Sequence, residues 1–230
     1  MFKRFAILLV ALFVVSACHA DQNAATAAPA ARAWQSGTDY FPIDPPQPTS
    51  TGDKIEVVEV FSYACPHCAH FQPDVEALKA RLPKDAQFVT IPAVFNAQWE
   101  PFARAFYTAR TMGVLDKTHQ ALFDALHRDH LPLFSLDLLA TSFYAKYGVN
   151  PSTFISTANS FVIDSEMARG DQLVRAYGVG STPTLVVNGK YRVEMNTERK
   201  IGPKEIVEIA LYLVKQEEAQ AKAAPHKTPH

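Results

Sequence analysis

Ile55-Glu56-Val57-Val58-Glu59-Val60-Phe61-Ser62-Tyr63-Ala64-Cys65-Pro66-His67-Cys68 is the stretch whose reading decides the fold. Ile55, Val57, Val58, Val60 and Phe61 form a short, dense, β-branched run, the pattern of a buried strand. Beyond the cysteines, Phe71, Val75, Leu78 and Leu82 recur at helical spacing. The two cysteines therefore stand where a strand hands over to a helix. Pro66 suits the first helical turn, where its missing N–H costs nothing. Cys65 and Cys68 are i and i+3, neighbours on one helix face, with Cα atoms inside the disulfide range of roughly 4.4–6.8 Å.

That position has chemical consequences. Cys65 meets the unpaired N–H groups of the helix start and the positive end of its dipole, and both favour thiolate over thiol. A protonated His67 would add a second positive charge. A stabilised thiolate leaves well, so the disulfide form is an oxidant. Cys68, one turn deeper, is expected to be the more buried thiol. Three plainer readings compete. A structural disulfide closing four residues would restrain the unfolded chain weakly. A zinc half-site with His67 or His70 would need further ligands, and no second Cys pair exists. Haem attachment needs His directly after the second cysteine, where Ala69 stands.

The chain has 230 residues, 48% of them hydrophobic, with 15 Phe and 8 Tyr, enough for one core carrying an insertion. Formal net charge is −1, and no basic patch marks a nucleic-acid surface. Lys3 and Arg4 precede the apolar run Phe5 to Val15, a secretory signal pattern too short for an ordinary membrane span. The run ends Val15-Ser16-Ala17-Cys18, which resembles a bacterial lipoprotein box; that resemblance implies a signal over residues 1–17 and a lipid on Cys18. Ordinary cleavage after Ala20 is the alternative. In either case two thiols remain in the folded part, and export implies an oxidising compartment.

Residues 18–50 read as an Ala/Pro-rich linker, with aromatics around Trp34, Tyr40 and Phe41 able to pack on the domain. Gln87 to Pro92 reads as a second strand ended by proline. Residues 97–174 carry helical stripes and no strand. Phe102, Ala105, Phe106 and Ala109 form one stripe, and Leu122, Phe123 and Leu126 another. Ser135 reads as the N-cap of a helix from Leu136 to Tyr147 that Gly148 closes. Asn150-Pro151 opens a short helix, and Phe161 to Tyr177 is a longer one. Thr184 to Val187 is a strand, Asn188-Gly189 a hairpin turn, and Tyr191 to Val193 the return. Pro203 opens a last helix with Ile206, Val207, Ala210, Leu211 and Val214 on one face. Residues 217–230, charged and Ala-rich, read as a disordered tail. Strand–helix–strand, helical block, then hairpin and helix predicts an α/β fold with a helical insertion, the leading strands parallel.

On Cys65-Pro66-His67-Cys68 at a strand–helix junction, the mid-chain helical insertion, Thr182-Pro183, and Val187-Asn188-Gly189-Lys190-Tyr191, the chain resembles the thioredoxin fold. Within that fold it resembles the DsbA family of bacterial periplasmic disulfide oxidases. The resemblance covers roughly residues 53–215 and places the thioredoxin-like part at 51–96 and 175–216. It implies that Pro183 is the cis-proline facing the dithiol, with the backbone of Thr182 free to pair with an extended substrate. It also implies that Glu59, on the incoming strand, is a buried acid assisting proton transfer from the deeper thiol. Two departures stand out. Many family members have Val where this chain has Thr182, and Thr there also occurs in isomerase and reductase branches. Thr90 stands where some members have a Lys pairing with the buried acid.

The function so implied is a thiol–disulfide oxidoreductase that introduces disulfides into exported, unfolded proteins through Cys65 and Cys68. The implied setting is a monomer in the periplasm, membrane-anchored by an N-terminal lipid. It would be reoxidised by a DsbB-like membrane quinone reductase, with no organic cofactor or metal. Two alternatives remain. One is a disulfide isomerase or reductase, against which stands the lack of an apolar pattern in residues 19–50 for a dimerisation domain. The other is a lipid-anchored binding or chaperone module whose dithiol is incidental.

Overall fold

The computed structural model describes residues 33–223, and the compact unit begins at Trp34. At its centre is β2 (Ile55–Phe61), buried along its whole length. β3 (Ala86–Pro92) lies parallel on one side and β4 (Thr184–Val187) antiparallel on the other. β5 (Tyr191–Glu194) and the short β1 (Phe41–Pro42) complete a five-stranded sheet in the order β1-β5-β4-β2-β3. A parallel pair needs a crossover, and α1 (Pro66–Arg81) supplies it.

Alternation along β2 sends its side chains to two covers. Val57 packs with Phe71, Val75 and Leu78 of α1 and with Ile206, Ala210 and Leu213 of α7 (Pro203–Ala223). Val58 and Val60 pack with Val174 of α6 (Phe161–Ala176) and with Tyr177. Burial on both faces is why the strand reads as a nearly continuous apolar run. Between β3 and α6 the insertion contributes α2 (Glu100–Thr111), α3 (Leu115–His127), α4 (Leu136–Leu138) and α5 (Pro151–Ala158). Its core joins Phe102, Phe106, Leu122, Phe123, Tyr144 and Phe154 to Phe61, Cys65 and Cys68. The dithiol thus lies where the insertion meets the sheet. The whole is the α/β thioredoxin fold with a mid-chain helical insertion.

Three sequence expectations change. The helix expected from Leu136 to Tyr147 starts as expected, Ser135 Oγ accepting from the Leu138 N–H at 3.3 Å. It then widens into a π turn over Leu139–Phe143 and tightens to 3₁₀ over Tyr144–Tyr147. Adjacent Phe143 and Tyr144 are both buried, and Tyr144 stacks on Phe154 with centroids 4.3 Å apart. The change of pitch falls where this aromatic pair enters the core.

The second half of the expected linker belongs to the fold. Tyr40 and Ile43 are buried, and β1 pairs with β5. The Ile43 N–H donates to the Lys190 carbonyl at 2.7 Å, and the Gln47 N–H to the Gly189 carbonyl at 2.9 Å. The prolines here forbid a helix but not an edge strand. Asn188 and Gly189 both take positive φ, 52° and 63°, as a tight hairpin turn requires. A Cβ at Gly189 would also collide with the Gln47 carbonyl.

The expected tail is helical through Ala223. Glu217 is buried, and its Oε2 accepts from Asn188 Nδ2 and Lys190 Nζ, each at 2.6 Å. That pair of contacts fastens the end of α7 to the β4–β5 turn, a long-range reason for order that local composition does not carry. Lys190 is 37% exposed and rehydrates if its partner is lost. Glu217→Ala should therefore cost about 1–2 kcal/mol in urea unfolding, while Glu218→Ala, one residue along the same helix, should cost nearly nothing.

Candidate active site

β2 ends at Phe61, and four residues later Cys65 is the N-cap of α1, with φ −91° and ψ 114°, and Pro66 opens the helix. The intervening turn is closed by the Cys65 N–H donating to the Ser62 carbonyl at 3.1 Å and the Ala64 N–H to Ser62 Oγ at 3.2 Å. Both cysteines are free thiols in this structure. Cys65 is 6% exposed and Cys68 fully buried, while Pro66 and His67 are exposed.

The two thiols are pushed in opposite directions. Cys65 is pulled down to about 5, first by the Cys68 thiol donating to it, then by Thr182 and by the N–H groups of Cys68 and His67, against the opposing effect of partial burial. These are the orphan donors of a helix start. Thr182 acts differently on the two forms. Its carbonyl accepts from the Cys65 thiol at 3.5 Å, whereas its side chain favours the thiolate. Cys68 is pushed far up by burial, by its bond to Cys65 and by the nearby charges of Cys65 and Glu59. Whichever proton the pair keeps sits on Cys68.

Glu59 is completely buried. Desolvation lifts its carboxyl to about 8, with Lys79 and the Gln72 hydrogen bond pulling the other way. Thr90 is its cross-strand neighbour on β3, so no cation faces it from that strand, and the cation bearing on it comes from α1. Thr182-Pro183 is a cis peptide immediately before β4. The structure sets the Thr182 carbonyl, just before Pro183, against Cys65, links Glu59 to the Cys68 backbone through Gln72, and leaves Pro66 and His67 exposed between the two cysteines. Cys18 lies outside the described residues.

The sequence reading missed several residues around this site. Gln72 Nε2 donates to Glu59 Oε1 at 3.2 Å and to the Cys68 carbonyl at 3.3 Å. Its i+4 spacing from Cys68 was the available signal. Tyr63 is gripped by α3: its hydroxyl bonds His119 Nδ1 at 2.7 Å, its ring lies 4.9 Å from that of Phe123, and its carbonyl is 2.7 Å from His127 Nε2. His119, Phe123 and His127 are spaced i, i+4, i+8 on one helix face. Burial lowers His119 to about 4, so it stays a neutral imidazole beside the tyrosine. Next to the turn runs a groove of about 570 Å³ lined by Ala64, Trp99, Phe102, Leu126, Leu131 and Phe134 among others. Phe134 is 71% exposed there. Among the described residues no group of three or more His, Cys, Asp or Glu is gathered to hold a metal, and no helix is long and apolar enough to cross a membrane.

A thioredoxin-type sheet carrying an ionised thiol at a helix start and a protonated one behind it defines a thiol:disulfide oxidoreductase. Comparison with known proteins agrees. Residues 56–200 match the DSBA-like thioredoxin domain. The thiol:disulfide interchange protein DsbA of Pseudomonas aeruginosa is 40% identical over 189 residues, 82% of this chain and 88% of that protein. That of Pseudomonas syringae pv. tomato is 38% identical over 197 residues, 86% and 91% of the two chains. The crystal structure of Pseudomonas aeruginosa DsbA superposes with a TM-score of 0.75 at 40% identity, over 82% of this chain and 97% of that one. The chain belongs to the DsbA family.

The thiolate gives a pH signature. The Cys65 pKa is lowered on folding, so its stabilisation of the reduced protein is complete above the free-thiol value of about 8.5 and is lost as pH falls through about 5. Oxidised protein has no thiolate and lacks this contribution. Thiolate ultraviolet absorbance of reduced protein should titrate near pH 5, and urea unfolding should find the reduced form the more stable at pH 7 but not at pH 4. A midpoint at the free-thiol value would contradict the site geometry.

Proposed function

We propose that this protein oxidises pairs of thiols in exported, unfolded polypeptides in the periplasm, using the Cys65–Cys68 disulfide as oxidant. The observation that carries the reading is the opposed pair of thiols: one sulfur at a helix start held as thiolate, the other buried and held protonated. A substrate thiolate attacks Cys65, the Cys65–Cys68 bond breaks, and Cys68 leaves and takes up a proton for which Glu59 is the neighbouring acid. A second substrate thiolate then attacks the substrate sulfur of the mixed disulfide, closing the substrate disulfide and releasing Cys65 as thiolate. The substrate gives up two electrons, both taken by the enzyme sulfurs, and of the two thiol protons one stays on Cys68 and one goes to solvent. The low basicity of Cys65 favours that last departure.

In this reading Pro66 sets the first turn of α1. The His67 N–H favours the Cys65 thiolate, and its imidazole is exposed beside the sulfur. The Thr182 backbone, whose carbonyl lies 3.5 Å from Cys65, and Pro183 form the surface on which an extended substrate pairs. A DsbB-like membrane quinone reductase returns the dithiol to the disulfide, so the cycle uses no organic cofactor or metal. The chain works as a monomer, held at the membrane by a lipid on Cys18.

The deciding experiment is refolding of ribonuclease. The oxidised protein should speed reactivation of the fully reduced substrate far more than that of the scrambled one, and Cys65→Ser should abolish it. The opposite preference would assign the chain to isomerisation.

His67→Leu keeps the backbone N–H and removes the imidazole. It should raise the Cys65 titration midpoint and make the potential more reducing, by about 30 mV for each 1.4 kcal/mol lost, as read against a glutathione redox series.

The anchor is tested separately. Cys18→Ser should move the protein from the membrane fraction to the soluble fraction or block its processing, and unchanged membrane fractionation would remove the lipid from the proposal.

A further inference from the structure

Gln72 is 2% exposed and Glu59 fully buried. The Gln72 amide donates both to Glu59 Oε1 and to the Cys68 carbonyl. Among the described residues Glu59 Oε2 has no hydrogen-bond partner. We propose that Gln72 is a positioning residue for the proton exchanged with Cys68: its amide ties the acid to the backbone of the cysteine that acid serves. The inference rests on the reading of Glu59 as that acid.

The chemistry of the two oxygens supports it. An N–H pointing at Oε1 makes that oxygen the acceptor, hence the carbonyl oxygen of the neutral carboxyl. The proton is then left to Oε2, which no described residue contacts by a hydrogen bond. Gln72 lies one helical turn after Cys68, so a single side chain spans both acceptors, and two acceptors hold one rotamer where one would not. A neutral amide at this position also keeps Glu59 from sharing its pocket with a second carboxyl, whose proton would be held jointly.

The other groups bearing on Glu59 are Lys79 and Glu76 of α1, Cys65 and Cys68 at its start, and Tyr63 beyond β2. Its strand neighbours, Thr90 and Leu185, are uncharged. The Gln72 bond favours the carboxylate and opposes the desolvation that holds the group near 8. Loss of the donor therefore pushes the carboxyl further up and leaves less carboxylate at neutral pH.

Oxidised glutathione isolates the step. The Cys65 thiolate of reduced protein attacks one glutathione sulfur and expels the first glutathione thiolate. Cys68 then gives its proton to the Glu59 carboxylate and attacks Cys65, closing the protein disulfide and expelling the second. Acid quenching and mass spectrometry follow the mixed disulfide across pH 5–10 in wild type, Gln72→Leu, Gln72→Met and Glu59→Gln. In wild type the second step should rise through a midpoint near pH 8. The Gln72 variants should move that midpoint up by roughly one unit and leave the first step as it was. Glu59→Gln should remove the midpoint. A Glu59→Gln protein without the midpoint beside Gln72 variants with an unmoved one overturns this inference and spares the role of Glu59. A wild-type midpoint in Glu59→Gln overturns that role and this inference with it. Gln72→Met, which keeps the side-chain length, carries the test if Gln72→Leu does not fold. An infrared titration of the Glu59 carboxyl in Gln72→Met supplies a second readout, and an unshifted band overturns the proposal.

Discussion

The rest of the structure depends on one sulfur occupying the N-cap of α1. A helix start carries N–H groups with no intrahelical partner, and here those of His67 and Cys68 help to lower the Cys65 thiol, although the sulfur makes no side-chain cap hydrogen bond. The sulfur arrives there because β2, buried on both faces, ends at Phe61, and a tight turn held by Ser62 brings the chain back into a helix. Pro66 then begins the helix with no donor of its own to satisfy. From this placement follow the anionic Cys65, the protonated Cys68 behind it, and the redox chemistry of the pair.

Around that centre the protein stabilises a negative charge on the outside and a proton on the inside. Partial burial opposes the thiolate at Cys65, but the donors outweigh it. At Cys68 and Glu59 burial dominates and both hold their protons at neutral pH. The contrast arises within a few residues because Cys65 sits at the end of the helix and Cys68 one turn inside the insertion core. Lys79, the cation that bears on Glu59, also lies over the ring of Phe88, 4.9 Å away, and pairs with Glu76 at 2.8 Å. Divided in this way, it moderates the desolvation of Glu59 without cancelling it.

The helical insertion does more than cover the dithiol. One face of α3 holds Tyr63 by its hydroxyl, ring and carbonyl, and Tyr63 is two residues from Cys65. His127 on that face also lines the apolar groove. The groove and the turn that presents the sulfur therefore share a side chain.

The sequence by itself determined much of this. Local signals are strong where one face of an element meets one kind of neighbour, so β2, α1, the Asn188-Gly189 turn and α7 were legible from periodicity and turn chemistry. The dithiol was legible because its chemistry depends on position along the chain, at the junction of strand and helix. Other features depended on contacts distant in sequence. The order of residues 33–50 comes from pairing with β5 and that of 217–223 from Glu217 meeting the hairpin, while the π turn falls where Phe143 and Tyr144 enter the core. The state of Glu59 was likewise undecidable from its neighbours along the strand. A glutamate among valines is consistent with either face, and only the tertiary structure places it under α1, fully buried, beside Gln72 and the deeper thiol, where desolvation outweighs the attraction of Lys79.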